Sequence, residues 1–222
     1  MKLQRADQDF ILIHVFWGFL AAFCLQATSL PPGWRIFIIV AGYHIILPLF
    51  ARQVKYNGWL QLWQFTSILS LLQILPDLYL SRVLGILSFP ETGSPTIGGV
   101  PLFMGGLWAI PLFIIVYLGR RFKGPAAFWI VSSASALIFI AAESILWQMP
   151  IWQAVNVTQI AHVALYVILP EILLGITSLR AFEWSLNRAI HIKIAAAFFV
   201  SAAYFVNLNL CYFLVEKIIF GN

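Results

Sequence analysis

Charged residues are so sparse and clustered in this chain that the stretches between them are long enough to cross a bilayer. Seven such stretches can be read, at 10–30, 36–51, 58–76, 98–119, 124–147, 158–179 and 194–215. A hydrocarbon core about 30 Å thick needs about 20 helical residues, and six of the seven come close to that. The second, between Arg35 and Arg52, is short and relies on both arginines reaching outward. With 62% hydrophobic and 9% charged residues there is too little polar surface for a soluble domain. The segments are apolar nearly all round rather than striped. The expected fold is all-α: a polytopic membrane helix bundle of about seven transmembrane helices, one domain spanning 1–222.

The net charge of +5 is explained by topology rather than by a nucleic-acid partner. With the N-terminus cytoplasmic, the inner segments collect Lys2, Arg5, Arg52, Lys55, Arg120, Arg121, Lys123, Arg180, Arg188 and Lys193. The outer segments keep Arg35, Arg82 and Lys217. Ten against three is a strong positive-inside bias, which predicts N-in, C-out and an odd number of spans. The first apolar segment is read as a retained helix, because bulky Phe23 precedes Cys24 where lipoprotein processing wants a small residue. Cys24 and Cys211 read as free thiols. Short loops fit a bacterial inner membrane.

One connection is long. Its first half places Leu80, Val83, Leu84 and Leu87 at helical spacing, predicting a short interfacial helix over 78–89. Its second half, 89–101, is rich in Pro and Gly, and such a loop on a compact bundle is a place to look for function. The fourth span begins at Gly98 and carries Gly105, Gly106 and Ala109 between Pro101 and Pro111. Small residues there permit close helix packing.

Ionisable groups at membrane depth are costly and often functional. Trp63, Thr66, Ser70, Gln73 and Asp77 share one seam of the third span, either a cavity wall or a row of interhelical hydrogen bonds. Glu143 ends the fifth span between Phe139 and Trp147, placed for catalysis or for pairing with a neighbouring Gln or Trp. On the sixth span His162 and Tyr166 share a side, while Glu171, nine residues from His162, points the other way. Glu171 is expected to pair with His14 or His44, and those histidines to be satisfied interior residues. Asn207 and Asn209 are expected to bind other helices. Asp77, Glu91, Glu143 and His162 arrive at one depth and form the candidate catalytic set. Trp63, Thr66, Gln73, Thr92, Trp108, Trp147 and Tyr166 are the candidate substrate contacts.

A buried, protonated carboxyl can protonate an alkene or epoxide, a second group can later remove a proton, and aromatic faces shelter the cation between. Here a resemblance enters. Phe89-Pro90-Glu91-Thr92-Gly93, then Gly99-Val100-Pro101-Leu102-Phe103 and Trp108, resembles the loop-and-helix signature of integral-membrane carotenoid hydratases. More distantly the chain is similar to small seven-helix terpene cyclases. The resemblance implies acid-initiated hydration or cyclisation of an isoprenoid, without metal or other cofactor, and it points to Glu91, Thr92 and Trp108. A small-molecule transporter and an assembly subunit of a membrane complex are the competing readings. No HExxH, Walker A, GxGxxG or paired CxxC occurs, so metal, nucleotide and nucleic-acid functions lack a local signature.

Overall fold

The computed structural model describes residues 4–26, 29–149 and 151–221, with the Leu146 side chain excepted. Its helices are α1 (Arg5–Gln26), α2 (Pro32–Gln53), α3 (Asn57–Leu72), α4 (Ile74–Arg82), α5 (Met104–Leu107), α6 (Ala109–Gly119), α7 (Pro125–Leu146), α8 (Leu165–Ser185) and α9 (Ile190–Tyr212). After α9 the chain widens to π-helix over Phe213–Ile219. Two-residue strands lie between helices: β1 (Leu87–Ser88), β2 (Thr96–Ile97), β3 (Val100–Pro101), β4 (Gln153–Ala154), β5 (Gln159–Ile160) and β6 (Val163–Ala164). They pair antiparallel as β1 with β4, β2 with β3 and β5 with β6.

Among the described residues, five helical stretches, Arg5–Gln26, Pro32–Gln53, Pro125–Ile145, Leu165–Ser185 and Ile190–Ile219, are long and apolar enough to cross a membrane. Met104–Gly119 is apolar but shorter. Side chains such as Phe16, Phe19, Phe23, Leu137, Phe198 and Phe199 are exposed. Asp7, Asp77, Glu171 and Lys193 are buried. Greasy outside and selectively polar inside is the arrangement of an integral membrane bundle.

Arg5, Arg52, Arg120, Arg121, Arg180 and Arg188 lie on or beside the ends of α1, α2, α6, α8 and α9, whereas Arg35 and Arg82 serve the opposite connections. Arg121 pairs with Asp7 at 2.7 Å, and Tyr117 donates to the same carboxylate at 2.9 Å. Tyr56 donates to Asp9 at 2.7 Å, and Gln61 donates to Asn187 at 2.8 Å. Lys2 lies outside the described residues. The other end is built from loops: Gly33 N–H donates to the Thr92 carbonyl, Arg82 to that of Gly98, and Thr158 to Glu216. Removing Asp7 takes the charged partner from Arg121 and leaves the Tyr117 hydroxyl with the Ala6 carbonyl, at 3.2 Å, as its acceptor. Breaking a fully buried pair costs about 3–5 kcal/mol. Arg121 keeps a quarter of its side-chain exposure, so Asp7→Ala is expected to destabilise by only about 2 kcal/mol. Thermal unfolding in detergent checks this, and an unchanged melting temperature would refute it.

Several boundaries differ from expectation. The second helix is not short: α2 has 22 residues and begins at Pro32, a residue suited to a first turn. Arg35 lies within it and donates to the Leu30 and Leu25 carbonyls at 2.6 and 2.8 Å, so it closes the α1–α2 corner. The helix expected over 78–89 is helical only over 78–82, as the end of α4, because α4 stops at Arg82 and Leu87–Ser88 pairs with Gln153–Ala154. Residues 98–103 are not helical. Gly98 and Gly99 sit at φ 58° and 90° and turn the β2–β3 hairpin, as a two-residue turn of that hand requires. Likewise Ala161 and His162, at φ 50° and 67°, turn the β5–β6 hairpin, so the sixth helix starts at Leu165 rather than 158.

Candidate functional site

Prolines free backbone carbonyls in three helices where polar groups enter the interior. Pro76 has no N–H for the Leu72 carbonyl, and the helix breaks at Gln73 between α3 and α4. The Ser201 hydroxyl donates to Gln73 Oε1 at 3.0 Å beside that break. Asp77 follows on the new segment. Pro170 similarly frees the Tyr166 carbonyl within α8 and is followed directly by Glu171. Pro111 frees the Leu107 carbonyl, and Trp108 sits at the junction of α5 and α6.

These sites surround a cavity of about 280 Å³. Asp77 comes from α4, Glu143 from α7 and Glu171 from α8, and all three face it. Tyr166, Tyr204, Trp108 and Phe139 supply aromatic walls, and Ile114, Leu80 and Met104 belong to the apolar remainder. Among the described residues no lysine, arginine or histidine lines the chamber, so no described side chain of its wall neutralises a carboxylate. Asp77 is 4% exposed, yet its Oδ2 has no hydrogen-bond partner. The Trp108 indole approaches that carboxyl without completing a hydrogen bond, so its Nε1 is also bare. An unpaired buried polar atom costs about 1–3 kcal/mol, and two facing one cavity mark a place where a ligand or water can complete them. Glu143 is held differently: Ala164 N–H donates to its Oε2 at 3.1 Å.

Of the expected catalytic set, Asp77 and Glu143 meet here. His162 does not reach the chamber. It lies in the hairpin turn, stacked on Trp147 with ring centres 3.9 Å apart, and lines a smaller outer recess. Glu91 is exposed in the loop and faces neither cavity. Among the expected substrate contacts, Trp108 and Tyr166 line the chamber and Trp147 the recess. Trp63 instead donates to His44 Nδ1 at 3.2 Å, and Thr66 bonds the Leu62 carbonyl of its own helix. Gln73 is held by Ser201, and buried Thr92 packs beside Ser94 against Gly33. Trp63, Thr66 and Gln73 Oε1 of this seam are therefore engaged in interhelical and intrahelical bonds, while Ser70 Oγ and Gln73 Nε2 are buried without a partner, and the cavity wall begins only after the break.

Glu171 is the residue sequence reasoning misassigned. His14 is satisfied by the Phe10 carbonyl and the Tyr43 hydroxyl, and His44 by the Gly106 carbonyl, Trp63 and Ser67. Neither pairs with Glu171. Glu171 and His162 do lie apart, as expected, but Glu171 joins Asp77 and Glu143 in the chamber, and no helix connects it to His162 because α8 begins at Leu165. Asn207 and Asn209 return to their own helix, bonding the Ala203 and Phe205 carbonyls at 2.8 Å, rather than bridging to others. Tyr204, one turn before Leu208, was passed over and proves to be chamber wall. The available signal was the dipeptide Pro-acid inside an apolar span, which occurs at Pro76-Asp77 and again at Pro170-Glu171.

Fold and cavity together define a multi-pass membrane helix bundle with an acid-bearing interior chamber. Residues 74–215 match the family described as Domain of unknown function (DUF6989), and the chain belongs to that family. Every chamber residue named above falls within the matched stretch. No curated protein and no solved structure matches the chain.

Proposed function

We propose that the protein is an intramembrane enzyme that acts on an isoprenoid or similar lipid-like substrate by acid-initiated hydration or cyclisation. The observation that carries this reading is the meeting of Asp77, Glu143 and Glu171 in one apolar, aromatic-walled cavity without a basic partner among the described residues. In its protonated form Asp77 has a hydrogen on a carboxyl whose Oδ2 is otherwise unengaged. Transfer of that proton to an alkene carbon leaves a carboxylate and a carbocation, which the faces of Trp108, Phe139, Tyr166 and Tyr204 shelter. Water then adds and gives up a proton to Glu171, or internal attack closes a ring and Glu171 removes the proton that restores a double bond. Neither course needs a metal or other cofactor.

At about 280 Å³ the chamber is just under the roughly 300–1,000 Å³ of ordinary ligand pockets. It suits the reacting end of a prenyl chain, with the remainder lying in lipid. The resemblance of the 89–108 stretch to carotenoid hydratases, and more distantly to seven-helix terpene cyclases, agrees with this reading. In the proposed topology seven passes run between a cytoplasmic basic end and an outer loop end, N-in and C-out, in a bacterial inner membrane. Purified protein given prenyl substrates is expected to yield a product one water heavier, or an isomer, by mass spectrometry. Recovery of every substrate unchanged across alkene and epoxide chains of several lengths would remove the enzyme reading.

A further inference from the structure

A second cavity of about 210 Å³ opens at the loop end, lined by Glu143, Trp147, Trp152, Gln153, Gln159 and His162 together with Ala154. It shares three residues with the chamber: Glu143, Trp152 and Ala154 appear in both walls. The two spaces thus meet at one partition, and their characters differ. The outer one offers carboxyl, amide and imidazole groups, while most of the inner wall is apolar. The partition is held in place by loop structure. Ala154 pairs with Leu87 across β1 and β4, and Gln159 donates to the Ala154 carbonyl at 2.8 Å. Ala164, whose N–H holds Glu143 Oε2, ends the β5–β6 hairpin. The His162–Trp147 stack closes the far side.

We propose that this outer recess is a water-filled port and that Glu143 carries protons through the partition between port water and the chamber. The groups facing Glu143 fit that role from every side. On the chamber side are Asp77 of α4, Tyr166 and Glu171 of α8 and Tyr204 of α9. On the port side is His162 of the hairpin. Among the described residues no lysine or arginine lines either space to hold Glu143 permanently as a carboxylate. Only Oε2 takes a backbone hydrogen bond. In one cycle Glu143 accepts a proton from hydronium in the port, releasing water, and passes it to a chamber carboxylate. A polar recess of this volume has room for several waters and the partners they need. The proposal concerns access and does not depend on which reaction the chamber runs.

Two measurements on the full chain in detergent test it, neither requiring a substrate. A water-soluble carbodiimide with an amine should label Glu143 at a rate comparable to exposed Glu91, leaving Asp77 and Glu171 unlabelled, as read by peptide mass mapping. Labelling of Glu91 without Glu143 would overturn the port. In D₂O, infrared bands of the chamber's Tyr166 and Tyr204 hydroxyls and of any protonated carboxyl should exchange at least about tenfold more slowly in Glu143→Gln than in the parent. Trp152→Ala, which removes the other large side chain of the partition, should speed the same exchange. Equal rates in the parent and Glu143→Gln would overturn the carrier role, whatever the outcome of the prenyl assay.

Discussion

Asp77→Asn is expected to leave the bundle folded and to lower product formation by about 10²–10⁴-fold, the range of a lost general acid. Asn has nearly the same shape as Asp and, at 4% exposure with Oδ2 unbonded, breaks no hydrogen bond in exchange. What it removes is the proton. Melting temperature separates the two effects, since a folding defect would lower it alongside activity. The contrast is Glu91→Gln, which changes an exposed loop residue away from the chamber and should retain product. Full turnover in Asp77→Asn would remove Asp77 as the acid. Loss in both variants at unchanged stability would return the site to the loop, where the family resemblance pointed.

The largest stability loss is expected for Gly175→Leu. Gly175 lies where α8 crosses α6 and α7: even a Cβ there would overlap the Ser135 hydroxyl and press on Ile115. Ser135 and Ile115 are fully buried, so neither can swing away. Overpacking costs about 1–3 kcal/mol and sometimes more. A whole isobutyl group in a filled crossing belongs at or above about 3 kcal/mol on that scale. Gly18→Leu provides the comparison, because nothing stands within 4 Å of a Cβ at Gly18. Thermal unfolding and monodisperse yield in detergent should fall for Gly175→Leu and hold for Gly18→Leu. Equal behaviour of the two would mean that the α6–α7–α8 crossing yields more than its packing implies.

Much of the architecture was legible before any coordinates. Hydrophobic runs between charges located the helices, and the clustered arginines and lysines marked the end where Arg121, Asp7, Tyr56 and Asn187 are found. Misreadings concentrate where the backbone leaves helical period. Helical counting carried across 98–103 and 158–164 fails because glycines at 98 and 99, and Ala161-His162, turn hairpins there. A non-glycine pair at positive φ has no strong sequence mark, so the 158–164 hairpin was the harder of the two to foresee. The same counting measured the facing of Glu171 from His162, which lies in the hairpin before α8 begins at Leu165. On α3, the seam of Thr66 and Gln73 was real as a line of polar residues. Its role was decided by partners, since Thr66 bonds the Leu62 carbonyl of its own helix and Gln73 Oε1 accepts from Ser201 of α9.

By itself the amino-acid order determined that the chain is a helical membrane bundle, that carboxyl groups are buried in it, and which end carries the positive charge. Those are consequences of composition and of spacing along one dimension, because burial in lipid depends on hydrophobicity summed over a helix. Which acids face one another was decided only in three dimensions. The interruption at Gln73 starts α4 afresh ahead of Asp77, and α8 begins only at Leu165, so one helical count carried along the sequence does not give the facing of either acid. The packing of α4, α7, α8 and α9 then brought Asp77, Glu143 and Glu171 to a common space and left Glu91 and His162 outside it.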